Sequence, residues 1–139
     1  MADGRAFVDT NVFVYAFDND EPAKRAAAIE LLSSHQPGAL VTSAQVLGEF
    51  YVTVTRKLRS PLTAEQALVE IARLAPLATI ALDRRLVLEA AALAVEQPIS
   101  YWDALIVRAA ATAGCQSLLT EDLADGTTIA GVRIHDPFG

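Results

Sequence analysis

The chain has 139 residues, enough for one domain with a sizeable core. Apolar residues make up 53%, which excludes a disordered chain. A net charge of −6 argues against a dedicated nucleic-acid binder of the usual basic kind, although bound cations would locally reverse that sign.

The opening Met1-Ala2-Asp3-Gly4-Arg5 carries an acid and runs directly into a strand, unlike a secretory signal. Arg5 to Val8 reads as a short buried strand ending at Asp9. Asn11 to Phe17 either continues that strand or starts a helix; so few residues carry no decisive periodicity. Pro22 suits the first turn of a helix running to about Ser34, ended before Pro37-Gly38. Ala39 to Val41 is a second strand. Thr42 and Gln45 form a capping-box pattern opening the next helix, whose Leu47, Phe50, Val54 and Leu58 recur at helical spacing and face the core. Pro61 stops it. Thr63 and Gln66 offer another capping box, with a helix to about Leu74. Leu77 to Leu82 is a third strand. Asp83 caps a helix to about Gln97, halted by Pro98. Ser100 starts a helix that is apolar nearly all round and therefore central, ending at Gly114. Gln116 to Thr120 is a fourth strand and Val132 to His135 a fifth.

Strands alternating with helices predict an α/β fold: a three-layer α/β/α sandwich with a central, mainly parallel sheet of four to five strands. Residues 1–139 are expected to form it as a single domain. The lone cysteine, Cys115, excludes an internal disulfide framework and reads as a buried thiol in a reducing cytoplasm. No segment approaches the roughly 18 consecutive apolar residues of a membrane span, so no membrane association is expected.

Four acids border apolar segments: Asp9, Glu49, Asp103 and Asp122. In a parallel sheet, ligands bind beyond the carboxyl ends of the strands. Asp9 and Asp122 lie just past such ends. Carboxylates gathered on one rim repel, and a hard divalent cation relieves them. Each acid also has a local reading. Asp9 can cap a helix. Glu49 can reach water from its helix flank. Ser100-x-x-Asp103 is itself a capping pattern. Asp122 sits in an acid-rich loop, where Glu121 and Asp125 leave open which acid belongs to the rim. His35 and His135 lack metal-ligand spacing. Gly126-x-x-x-x-Gly131 lacks the Lys-Ser/Thr of a phosphate loop.

Phe7 to Ala16 (FVDTNVFVYA), Leu47-Gly48-Glu49-Phe50, Ile99 to Ala104 (ISYWDA) and Leu118 to Asp122 (LLTED) carry a resemblance. Together these four blocks resemble the PIN-domain ribonucleases, most of all the small VapC-type toxins of type II toxin–antitoxin systems. The resemblance implies a metal-dependent endoribonuclease with Asp9, Glu49, Asp103 and Asp122 as metal-site and catalytic acids. Thr10, Asn11 and Thr120 match the supporting polar positions. Magnesium or manganese, as one ion or two, would be the cofactor. An RNA substrate, a cognate antitoxin and a homodimer are implied as partners. Arg56, Lys57 and Arg59 at the end of the Glu49 helix, and Arg84 and Arg85 at another helix start, can contact RNA phosphates or remain solvated charges. Tyr15, Tyr101 and Trp102 can stack on bases or pack in the core.

Three alternatives lie outside that activity. A receiver-type phosphoacceptor domain needs a lysine near the last strands, but Lys24 and Lys57 are the only lysines and neither lies there in sequence. A dehalogenase-type phosphatase needs Asp-x-Asp, and Asp9-Thr10-Asn11 lacks the second acid. A catalytically idle PIN-like binding module would be expected to have lost some of the four acids.

Overall fold

A computed structural model describes residues 4–36, 38–74 and 76–139. The first three residues of the opening segment, and Pro37 as a helix stop, lie outside the described residues. The elements run β1 (Ala6–Val8), α1 (Thr10–Tyr15), α2 (Pro22–Ser34), β2 (Leu40–Ser43), α3 (Ala44–Arg56), α4 (Ala64–Leu74), β3 (Ala78–Ile80), α5 (Arg84–Glu96), α6 (Tyr101–Thr112), β4 (Ser117–Leu119), β5 (Thr128–Ile129) and β6 (Val132–His135). The ambiguous Asn11–Phe17 stretch is helical through Tyr15.

The strands form one sheet in the order β3-β2-β1-β4-β6-β5. Every pair is parallel except β5 with β6. Helices α1 and α3 pack together, α2 lies on α1, and α4 on α3; α5 and α6 form a separate pair. Both α3 and α6 lie on β2, so the sheet is covered from two sides. That is why β1 and β2 are continuously buried rather than alternating. Phe7, Val8, Val41, Phe50, Val107, Leu118 and Ile134 sit at the centre of the core. As its composition predicts, α6 is buried over most of its length.

The sheet has one strand more than expected. β5 is two residues long and joins β6 through Ala130 and Gly131, with φ of 51° and 80°. Positive φ at both turn positions is the two-residue hairpin geometry whose usual signature is Asn-Gly. Here Ala130 takes the first position, so the sequence signal is weak.

Three local expectations around α3 are corrected. Its N-cap is Ser43, whose hydroxyl accepts from the Val46 N–H at 3.2 Å. Thr42 is buried in β2 and donates to the Val8 carbonyl. That one-residue shift puts Val46, rather than Leu47, in the buried stripe with Phe50 and Val54. Leu47 is half-buried. The helix ends at Arg56, ahead of Pro61, and Leu58 follows it as a partly buried residue against the core. The capping box at α4 is present in full: Thr63 N–H donates to Gln66 Oε1 at 2.9 Å, and Gln66 N–H to Thr63 Oγ1 at 3.1 Å.

The chain runs β1, β2, β3 toward one edge, then crosses back to place β4 on the other side of β1. The order therefore reverses between β1 and β4. The carboxyl ends of those two strands form the crevice in which such sheets bind ligands. Among the described residues, no helix is long and apolar enough to cross a membrane.

Candidate active site

Asp9 leaves the end of β1 as the N-cap of α1, its Oδ1 accepting from the Thr10 N–H at 2.7 Å. Its Oδ2 accepts from the Thr120 hydroxyl at 2.8 Å. Thr120 is fully buried at the end of β4. The same hydroxyl oxygen accepts from Asn11 Nδ2 at 3.2 Å and from the Asp122 N–H at 3.1 Å. Asn11 Nδ2 also donates to Asp122 Oδ2 at 3.1 Å. Thr10 donates its hydroxyl to Glu49 Oε1 at 2.8 Å, and Gln45 Nε2 donates to Glu49 Oε2 at 3.2 Å. Thr10, Asn11 and Thr120 thus tie Asp9, Glu49 and Asp122 into one network across the switch point.

Asp103 joins differently. Its N–H donates to the Ser100 hydroxyl at 3.1 Å in the first turn of α6. Its charge is felt at Asp122, whose carboxyl is raised first by burial, against the lowering effect of Asn11, and further by Asp103, Glu121 and Glu49. Asp9, only 6% exposed, is pushed up to about 6. Burial is the main cause; Asp122 and Glu49 add repulsion, while the Thr10 and Thr120 hydrogen bonds oppose it. Asp9 and Asp122 thus each resist carrying a negative charge.

Among the described residues, no group of three or more acids, histidines or cysteines stands ready to hold a metal ion. Each of Asp9, Glu49 and Asp122 is instead turned onto neighbouring donors. The donor set is nonetheless all oxygen, which suits a hard cation. Asn11 Oδ1 is buried without a hydrogen-bond partner, a further oxygen available at the same place.

The acid-rich loop separates into distinct roles. Asp122 faces Asn11. Asp125 instead accepts from the Asp136 N–H at 2.9 Å and lies 3.7 Å from His135 Nδ1. Glu121 accepts from the Tyr15 hydroxyl and pairs with Lys24 at 3.2 Å. Sequence distance put Lys24 far from the last strands, whereas the packing of α2 on α1 brings it beside the loop after β4.

Of the basic residues, Lys57 lines a cleft of about 430 Å³ together with Thr10 and Glu49. Arg56 and Arg59 are exposed just beyond, outside its lining. Arg85 pairs with Glu89 at 3.4 Å over a separate hollow, and Arg84 is exposed beside it. A second hollow of about 340 Å³ is lined by Asn11, Tyr15 and Asp122 among others. Tyr15 packs edge-on against Phe138, with centroids 4.9 Å apart. Tyr101 packs edge-on against Trp102, which is 61% exposed. Burial pushes the Cys115 thiol up to about 11, which keeps it protonated at neutral pH.

Sequence reasoning missed two participants. Gln45, read as half of a capping box, instead supports Glu49. Lys24 gave no local signal, because its partners are nine and 97 positions away.

Ribonuclease VapC23 of Mycobacterium tuberculosis is 46% identical over a stretch covering 47% of this chain and 56% of that protein. The chain thus spans little more than half the length of these curated relatives. A toxin–antitoxin complex from Klebsiella pneumoniae contains a chain of like structure, with TM-score 0.71, 22% identity, and coverage of 95% of this chain and 97% of that one. VapC20 of M. tuberculosis, a Sarcin-Ricin loop cleaving toxin, aligns with TM-score 0.64, 24% identity, and coverage of 81% and 86%. Both structural likenesses concern the fold alone. The sequence model of the PIN domain matches residues 6–124, from β1 through the acid-rich loop, and the chain belongs to that family.

Proposed function

We propose that this chain is a divalent-metal-dependent endoribonuclease, the toxin of a toxin–antitoxin pair, with residues 1–139 acting as a single nuclease domain. The observation that carries the reading is the network at the β1/β4 crevice, in which three polar residues bind three acids within the segment matched as a PIN domain. The name of the VapC23 relative supports RNA as substrate, and the toxin–antitoxin complex supports a cognate antitoxin as partner. A homodimer and a cytoplasmic setting complete the reading, the latter supported by the buried free thiol of Cys115.

Asp9, Glu49, Asp103 and Asp122 would hold magnesium or manganese, with Asn11 Oδ1 as a further oxygen. When bound, such an ion supplies Lewis-acid polarisation of a phosphodiester and a more acidic water. The chain's own residues do the rest. Thr10 holds Glu49 at the rim, where its carboxylate can orient an attacking water and take its proton. Thr120 fixes Asp9 from below. Asn11 aims Asp122 into the crevice. Lys57, on the same cleft as Glu49, offers a positive charge to a backbone phosphate.

Asp9→Asn tests the reading, because it removes charge with little change of volume. Purified wild-type protein is expected to cleave labelled RNA with manganese, and the variant to lose cleavage while keeping its circular-dichroism spectrum. Undiminished cleavage by the variant would remove Asp9 from the site.

A further inference from the structure

Glu121 and Asp122 are adjacent acids on the loop after β4, yet they meet different partners. Asn11 and Tyr15 lie four positions apart on α1 and so share a face. Asn11 takes Asp122 and Tyr15 takes Glu121. Lys24, from α2, closes a triangle with the second pair. Its Nζ donates to the Tyr15 hydroxyl oxygen and to Glu121 Oε2, each at 3.2 Å, and stands 4.8 Å from the centre of the Tyr15 ring. Both oxygens of Glu121 are therefore occupied, and its charge is matched by an ammonium. Tyr15 is itself braced by Phe138.

We infer that Lys24 and Tyr15 are positioning residues that withdraw Glu121 from the acid cluster, so that the loop presents Asp122 alone to the crevice. The inference rests on the nuclease reading and deepens it. Without Lys24, Glu121 would keep only the Tyr15 hydroxyl and stand as an uncompensated carboxylate beside Asp122. An added negative charge there attracts a divalent cation and repels an RNA phosphate. The two effects have opposite signs, and a damaged fold would weaken both kinds of binding together.

The test compares Lys24→Met, which keeps the apolar stem, with the double variant Lys24→Met/Glu121→Gln. Manganese binding is read by titration calorimetry, and binding of a labelled single-stranded RNA by fluorescence anisotropy in chelator. For Lys24→Met, manganese should bind about fivefold more tightly and RNA about fivefold more weakly, the scale of one nearby charge in a largely aqueous setting. In the double variant both affinities should return toward the wild-type values, because the amide replacing the Glu121 carboxylate can still accept from Tyr15 but carries no charge. Unchanged affinities in Lys24→Met, weakening of both, or failure of the double variant to restore them would overturn the inference. If the unaltered chain binds neither manganese nor RNA, the nuclease reading itself fails, and that result is distinct from any of these.

Discussion

Asp9 has both carboxylate oxygens hydrogen-bonded and almost no water around it. Those bonds do not offset its burial, so its carboxyl is raised from 3.8 to about 6. A group whose folded value is raised binds more protons in the native state than in the unfolded one. Stability therefore falls as pH rises from about 4 to about 6, and the penalty stays in place above that window. The shift corresponds to a cost on the order of 3 kcal/mol at neutral pH. In chelator, wild-type protein is expected to lose stability across that interval, measured by urea denaturation at successive pH values. Asp9→Asn should lack this component, and equal pH profiles for the two proteins would contradict the burial argument. The local sequence showed Asp9 as a possible cap and a possible ligand at once. The structure gives Asp9 the cap and the hydrogen bond to Thr120 together, one oxygen to each.

At the level of elements, polar punctuation was the most legible feature of the chain. Pro22, Asp83, Ser100, Gly114 and the Thr63/Gln66 box all stand where a helix starts or stops. These signals are local, because a cap satisfies backbone groups within one turn. Thr63→Ala should destabilise the protein by about 1 kcal/mol. The check is a lower urea midpoint at unchanged slope, with RNA cleavage at the wild-type rate, since α4 carries none of the site acids. Where two adjacent residues can both cap, as Thr42 and Ser43 can, the sequence does not choose. The choice falls to the parallel pairing of β2, which extends through Ser43 opposite Ile80 and leaves Thr42 inside the sheet. The β5–β6 hairpin was illegible for a related reason: its strands are short and its turn uses Ala-Gly, so only the pairing reveals it.

For the whole molecule, the decisive fact is where the strand order reverses. Asp9, Glu49 and Asp122 come together from the end of β1, from α3 and from the loop after β4, while Asp103 lies in the first turn of α6. On the proposed reading, a cation would relieve their repulsion by binding the folded state and not the unfolded chain. Adding millimolar manganese to chelator-treated protein should raise its melting temperature. At a concentration about one hundred times the dissociation constant the gain is about 2.7 kcal/mol. A flat melting temperature across the titration would count against the acids as a metal site. On the proposed reading, net negative charge does not conflict with an RNA substrate, because a bound ion would reverse the sign where a phosphate would sit.

The sequence by itself determined the layered α/β architecture and most helix boundaries, since periodicity and caps act over a few residues, and it offered the four acids as candidates. Tertiary structure alone decided which acid of the 120–125 loop faces Asn11 and that Lys24 answers Glu121. Those pairings join positions 111 and 97 residues apart. Long-range contacts follow from how helices cross the sheet, and no local pattern encodes the side-chain directions on which they depend.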